Sequence, residues 1–262
     1  MQYANSGNLL SYLDRNINTL TWRTKLQILR DIADCLHIIH FRGLVHCDIH
    51  IENIVLDRHY KGDNYICKAF ISDLGFSQSQ ASGPKPSFVL PFAAPEVFTT
   101  GKCTKKSDIY AFGIIMCFIA SGDIPFTGRQ FLENLVDDIM FGLRPSITMP
   151  ESAPDAYKKL AESCCDANPN KRPEDGWTLL QHISKLIFEA ENDQSDNSVW
   201  DTIYYNDAKP LPRLENGSKH SSECRDLPKS GMTCMLYSML MLIADSYINI
   251  NLSIISETKG FV

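Results

Sequence analysis

The chain has 262 residues, 44% of them hydrophobic, which is enough to bury a sizeable core and excludes a wholly disordered protein. Its 25 basic and 31 acidic side chains give a formal charge of −6 with no basic stripe for phosphate contacts, so nucleic acid is not expected as a partner. Nine cysteines are scattered through apolar segments with no C-x-x-C pair, which suits reduced thiols in the cytoplasm better than a disulfide framework.

The first residues, Met1-Gln2-Tyr3-Ala4-Asn5, have neither a charged start nor an apolar run, so no signal peptide is expected. Apolar side chains at Trp22, Leu26, Leu29, Ala33 and Leu36 step by four and three, one face of a helix, with Thr21 as its N-cap and an end near Phe41-Arg42-Gly43. Two β-rich runs follow, Ile54-Val55-Leu56 and Tyr65 to Ile71, and the polar Lys61-Gly62-Asp63-Asn64 between them predicts a small hairpin. From Ser72 to Ala93 no period is sustained and Gly83, Pro84 and Pro86 intervene, which predicts a long exposed loop.

Ile109, Phe112, Met116 and Ile119 share a face of a second helix, with Ser107 or Asp108 as its cap and Gly122 at its end. Further helices are expected at about 131–141, 154–165 and 177–190, with Trp177 and Phe188 in the core. Beyond Glu191 the composition turns polar, predicting a disordered tail over 191–231. The apolar run from Met232 to Ala244 falls short of the roughly 20 residues that span a bilayer, so no membrane helix is expected there. The role of 232–262 is left open.

Chemistry-bearing residues concentrate in Leu44-Val45-His46-Cys47-Asp48-Ile49-His50-Ile51-Glu52-Asn53, then Ile71-Ser72-Asp73-Leu74-Gly75, then Ala94-Pro95-Glu96. Read as side chains alone, they offer a histidine, two aspartates and an asparagine on loops flanking a hairpin, oxygen ligands of the kind magnesium takes. In order and spacing they resemble the catalytic loop, the metal-binding Asp-Phe-Gly turn and the Ala-Pro-Glu end of the activation segment of protein kinases. The similarity continues through Lys106 to Gly113 and through Asn168-Pro169-Asn170-Lys171-Arg172-Pro173, with the nearest likeness to the tyrosine-kinase-like group of serine/threonine kinases.

The resemblance implies an α+β, predominantly α fold: the kinase C-terminal lobe over residues 1–190, with a small β-hairpin and the N-terminal lobe absent. It implies that Asp48 accepts the substrate hydroxyl proton, that His50 stands at the phosphate-contacting position, and that Asn53 and Asp73 hold Mg2+. Gln2, Tyr3 and Ala4 then resemble the hinge that hydrogen-bonds adenine of ATP, and Val55 the apolar floor beneath it. The family's Gly-rich loop, strand lysine and helix glutamate have no counterpart in these residues, so a partner covering the surface of the missing lobe is a further expectation.

Departures from the family pattern carry consequences. Cys47 replaces the arginine that pairs with an activation-loop phosphate in many kinases, so that switch is expected to be absent here. His50 replaces a lysine, which predicts weaker phosphate binding, and Val89 stands where many serine/threonine kinases carry a threonine. Glu96 and Arg172 are expected to form a buried ion pair, and Asp108 to anchor the catalytic-loop backbone. Two functions follow: a kinase transferring the γ-phosphoryl group of ATP to a protein Ser/Thr hydroxyl, or a catalytically inactive kinase-like interaction module.

Overall fold

The computed structural model describes residues 7–61, 64–79, 89, 92–123, 138–139, 149–193 and 198–201. Gln2, Tyr3, Ala4, the hairpin tip at Gly62 and Asp63, most of the helix expected at 131–141, and the apolar segment from Met232 lie outside these residues. The fold is mostly helical with small antiparallel ladders, in agreement with an α-rich α+β class.

Helix α1, Leu9–Asn16, is opened by Asn8, whose side chain accepts the Ser11 N–H at 2.9 Å, and it buries Leu9, Tyr12 and Leu13 on one stripe. Helix α2, Trp22–Phe41, starts at the expected Thr21 cap and ends where the sequence predicts. It carries Lys25 wholly buried, with Nζ donating to the Ala120 carbonyl at 3.3 Å and lying 4.5 Å from the Trp22 ring. Burial draws the Lys25 pKa down to about 8.

Strand β1, Leu44–Val45, leads into the loop that holds Asp48. The hairpin of β2, Ile54–Lys61, and β3, Asn64–Ile71, pairs Ile54 with Ile71 and Val55 with Phe70. It is tied to α2 by Asp31, whose Oδ2 accepts the Ala69 N–H at 3.1 Å. The stretch read as an open loop from Ser72 is more ordered at its start: Leu74–Phe76 forms a 3-10 turn, and β4, Gln78–Ser79, pairs antiparallel with β1. Two-residue strands leave no alternating pattern to read, which is why this ladder escaped the periodicity.

Helix α3, Pro95–Thr100, precedes α4, Lys105–Ser121, which is buried on nearly all sides and ends at Gly122 in the left-handed conformation. Its cap is Thr104 in a capping box with Ser107, not Ser107 or Asp108 themselves, and Asp108 is thereby released for tertiary bonds. Helix α5, Asp155–Cys164, packs on α4, and α6, Gly176–Asn192, packs along α2. The approach of α6 to α2 is so close that a Cβ on Gly176 would sit 2.6 Å from the Leu36 carbonyl carbon.

Trp177 and Phe188 are 49% and 65% exposed, against the expectation that they lie in the core. The buried stripe of α6 is Leu179, Ile183, Leu186 and Ala190, and both aromatics are two positions off it, about 200° around the helix. Past α6, Val199–Asp201 forms a turn that buries Trp200 against α2, so this part of the stretch read as a tail is packed.

Candidate active site

The loop after β1 is fixed from below by one carboxylate. Asp108, on the first turn of α4 and almost wholly buried, accepts the His46 N–H with Oδ2 at 2.8 Å and the Cys47 N–H with Oδ1 at 3.0 Å. This is the anchoring expected of it. Its Oδ2 also accepts from His40 Nε2 at 3.0 Å, and His40 Nδ1 in turn accepts the Gly176 N–H at 2.9 Å. Because Nδ1 is an acceptor, His40 carries its proton on Nε2, and the chain of bonds links the start of α6 to the loop.

His46 is buried and neutral in character. Burial lowers its pKa, although the charges of Asp108, Asp48 and Asp73 pull the other way. Its Nδ1 accepts the Asp48 N–H at 3.3 Å and its Nε2 donates to the Ser72 carbonyl at 3.1 Å. One imidazole therefore bridges the two predicted catalytic turns, at Asp48 in one and at Ser72 in the other.

Asp48 is joined to Asn53 directly. Asn53 Nδ2 donates to the Asp48 carbonyl at 2.9 Å and to Asp48 Oδ2 at 3.1 Å. The Asn53 carbonyl accepts both the N–H and the Oγ–H of Ser72, at 2.8 and 3.0 Å, and Ser72 is followed by Asp73. Asp48, Asn53 and Asp73 thus belong to one bonded framework. Neither His40 nor Ser72 was singled out from sequence; for Ser72 the available signal was a hydroxyl directly before a turn aspartate.

The two turns share a backbone feature. Cys47 and Asp73 are the non-glycine residues with positive φ among the described residues, at 71° and 58°. Such left-handed backbone costs of order 1–3 kcal/mol and persists where surroundings over-determine it, as they do here through Asp108 and through the Gly75 N–H donated to Asp73 Oδ1 at 3.3 Å.

His50 lies buried beneath Asp48, its Nε2 3.7 Å from Asp48 Oδ2 and its ring centroid 6.2 Å from that of Phe92. Val55 sits half-buried on β2 and forms an isolated bridge with Asn8, while the Leu56 N–H donates to the Gly7 carbonyl at 2.9 Å. Gly7 and Asn8 therefore run beside Val55 and Leu56.

Among the described residues no cluster of three or more His, Cys, Asp or Glu side chains forms a metal cage. Magnesium does not require one, since it keeps waters and phosphate oxygens alongside one or two protein ligands. The donor set fits it: Asp73 is exposed, and Asn53, with Nδ2 turned to Asp48, keeps its amide oxygen for a cation.

Downstream, Arg172 grips Glu96 through two parallel bonds of 2.7 and 2.8 Å, as expected, and also donates to the carbonyls of Asp166 and Lys106. A sequence model of the family described as protein tyrosine and serine/threonine kinase matches residues 1–176. The chain belongs to this kinase family.

Similar kinases include the dual serine/threonine and tyrosine protein kinase of Homo sapiens, 32% identical over 190 residues, which cover 70% of this chain and 19% of that protein. The probable serine/threonine-protein kinase roco8 of Dictyostelium discoideum is 34% identical over 182 residues, covering 66% of this chain and 10% of its own length. Cyclic GMP-binding protein C of the same organism is 32% identical over 181 residues, 66% of this chain and 7% of that protein. The kinase chain described here thus spans a small part of the length of the relatives it matches. No helix among its described residues is long and apolar enough to cross a membrane.

Proposed function

We propose that this chain is the substrate-side lobe of an ATP-dependent protein kinase that phosphorylates Ser/Thr hydroxyls on proteins. The observation that best supports the reading is the bonding of Asn53 to Asp48 and of Ser72, the neighbour of Asp73, to Asn53, which ties the two turns together. Asp48 would orient the incoming hydroxyl and take its proton, with His50 supporting the carboxylate from below. Asn53 and Asp73 would hold Mg2+, which when bound neutralises phosphate charge. Val55 would form the floor of the adenine site, with Gln2, Tyr3 and Ala4 as its hydrogen-bonding edge.

Loop rigidity is what the fold contributes. Asp108 and His46 fix the backbone around Asp48, so little reorganisation is needed when substrate arrives. A protein substrate, a further protein partner and a cytoplasmic setting complete the proposal.

A second reading, an inactive kinase-like interaction module, is favoured by Cys47 at the arginine position. Retention of Asp48, Asn53 and Asp73 argues for the first, because a scaffold needs no metal ligands. The test is magnesium-dependent transfer of radiolabel from ATP to a generic protein substrate. A low rate that falls by about 10²–10⁴ in Asp48→Asn is expected. A rate unchanged in that variant removes Asp48 from the chemistry, and no transfer at any protein concentration favours the second reading.

A further inference from the structure

Helix α6 carries a second apolar face beside the one that packs on α2. Around the helix axis, Trp177, Leu180, Ile187 and Phe188 fall within about 100° of one another, next to the buried stripe of Leu179, Ile183, Leu186 and Ala190. Trp177 and Phe188 are exposed, and Leu180 and Ile187 are half-buried. Ser184, the smallest side chain of this face, lies midway along it and is exposed. At its first end the face continues onto α2, where the His37 ring lies 5.0 Å from that of Trp177 and 6.0 Å from that of Phe41, itself exposed. A single exposed apolar side chain is ordinary, but a row of them along one helix marks a docking surface.

We propose that this face is the docking site of the chain's own segment Met232–Ala244. Length supports that occupant: Trp177 and Phe188 are 11 positions apart, about 16 Å along the axis, and 13 residues at helical rise cover about 20 Å. Its pattern fits as well. Met235, Met239 and Ile243 recur at every fourth position with Leu236 and Leu242 beside them, the spacing of one apolar helical face, while Thr233, Cys234 and Ser238 fall away from it. Methionine is unbranched and polarizable and packs well against aromatic rings such as Trp177 and Phe188. Met232–Ala244 contains no charged side chain, so covering this face buries no ion.

The tether is a further argument. Arg23 on α2 donates to the carbonyls of Ala190 and Asp193 at the end of α6, and Trp200 in the turn Val199–Asp201 is buried against α2. The chain therefore sets out toward residue 202 from the paired α2 and α6 themselves. The 30 residues of 202–231 can span up to about 100 Å, so reach does not limit the docking. A tethered segment also meets its site at an effective concentration of order mM, which favours it over a free partner of similar affinity.

This docking does not depend on phosphate transfer, and the full chain tests it. With p-benzoylphenylalanine in place of the exposed Phe188, irradiation followed by tandem mass spectrometry should find a link to residues 232–244 within a single chain. The link should fall at least about tenfold when Leu236→Asp and Met239→Asp together place carboxylates on the docked face. A second readout is acrylamide quenching of tryptophan fluorescence. Of the three tryptophans Trp22 and Trp200 are buried, so quenching reports Trp177 and should rise in the Leu236→Asp, Met239→Asp variant. Links to a second copy at doubled mass, links to other segments, no link above background, or equal quenching in both chains would each overturn the proposal.

Discussion

Asp108 Oδ1 accepts the backbone N–H of Cys47 at 3.0 Å, across 61 residues of sequence. The same carboxylate satisfies the His46 N–H and the His40 imidazole, so it couples helix α4, helix α2 and the Asp48 loop. Asp108→Ala strips the acceptor from all of these buried donors at once and should destabilise the chain by about 3–5 kcal/mol. Urea denaturation reads this as a fall in midpoint at unchanged slope. A loss below about 1 kcal/mol would show that the donors find other acceptors.

The Glu96–Arg172 pair gives a second stability prediction. The Arg172 side chain is fully buried and that of Glu96 is 18% exposed, so Glu96→Ala leaves a charge where water cannot reach it. The cost should be about 3 kcal/mol, the low end for a broken buried pair, because Arg172 keeps the carbonyls of Asp166 and Lys106. Replacing both partners by apolar residues should cost less than Glu96→Ala alone, which a double-mutant cycle measures.

Asp31 makes stability depend on pH. Burial raises its pKa from 3.8 to about 6, partly offset by the Ala69 N–H that it accepts. A carboxyl raised in the folded state holds its proton more tightly there than in the unfolded chain, so its contribution is full below about pH 4 and is lost as pH rises to about 6. His46 works in the opposite sense: its pKa is lowered from 6.5, so stability is lost as pH falls below that value. Asp31→Asn should therefore gain about 1–2 kcal/mol at pH 7 over the parent and little at pH 4. Equal gains at both pH values would contradict the assignment.

Much of this arrangement was legible in the chain. The order His46, Asp48, Asn53, Asp73, Glu96 carried the resemblance to the kinase family and so the candidate site. Helices α2 and α4 announced themselves by period and length. What stayed hidden was set by tertiary contact: the two-residue ladder of β1 with β4, the His40 link between Asp108 and Gly176, and the bonds of Ser72 to Asn53. Other misses were legible in principle. Thr104 with Ser107 is a capping pair, and the α6 stripe already excludes Trp177 and Phe188 by their offset.

Asp48, Asn53 and Asp73 are proposed to face one metal–phosphate unit, and paramagnetic broadening tests that most directly. Manganese, which takes the same oxygen ligands as magnesium, is added with ATP to the isotope-labelled chain, and NMR locates the amides it relaxes. Broadening centred on residues 48, 53 and 73, reversed by excess magnesium and abolished in Asp73→Asn, is predicted. Broadening confined to other carboxylates, or unchanged by Asp73→Asn, would contradict the central claim.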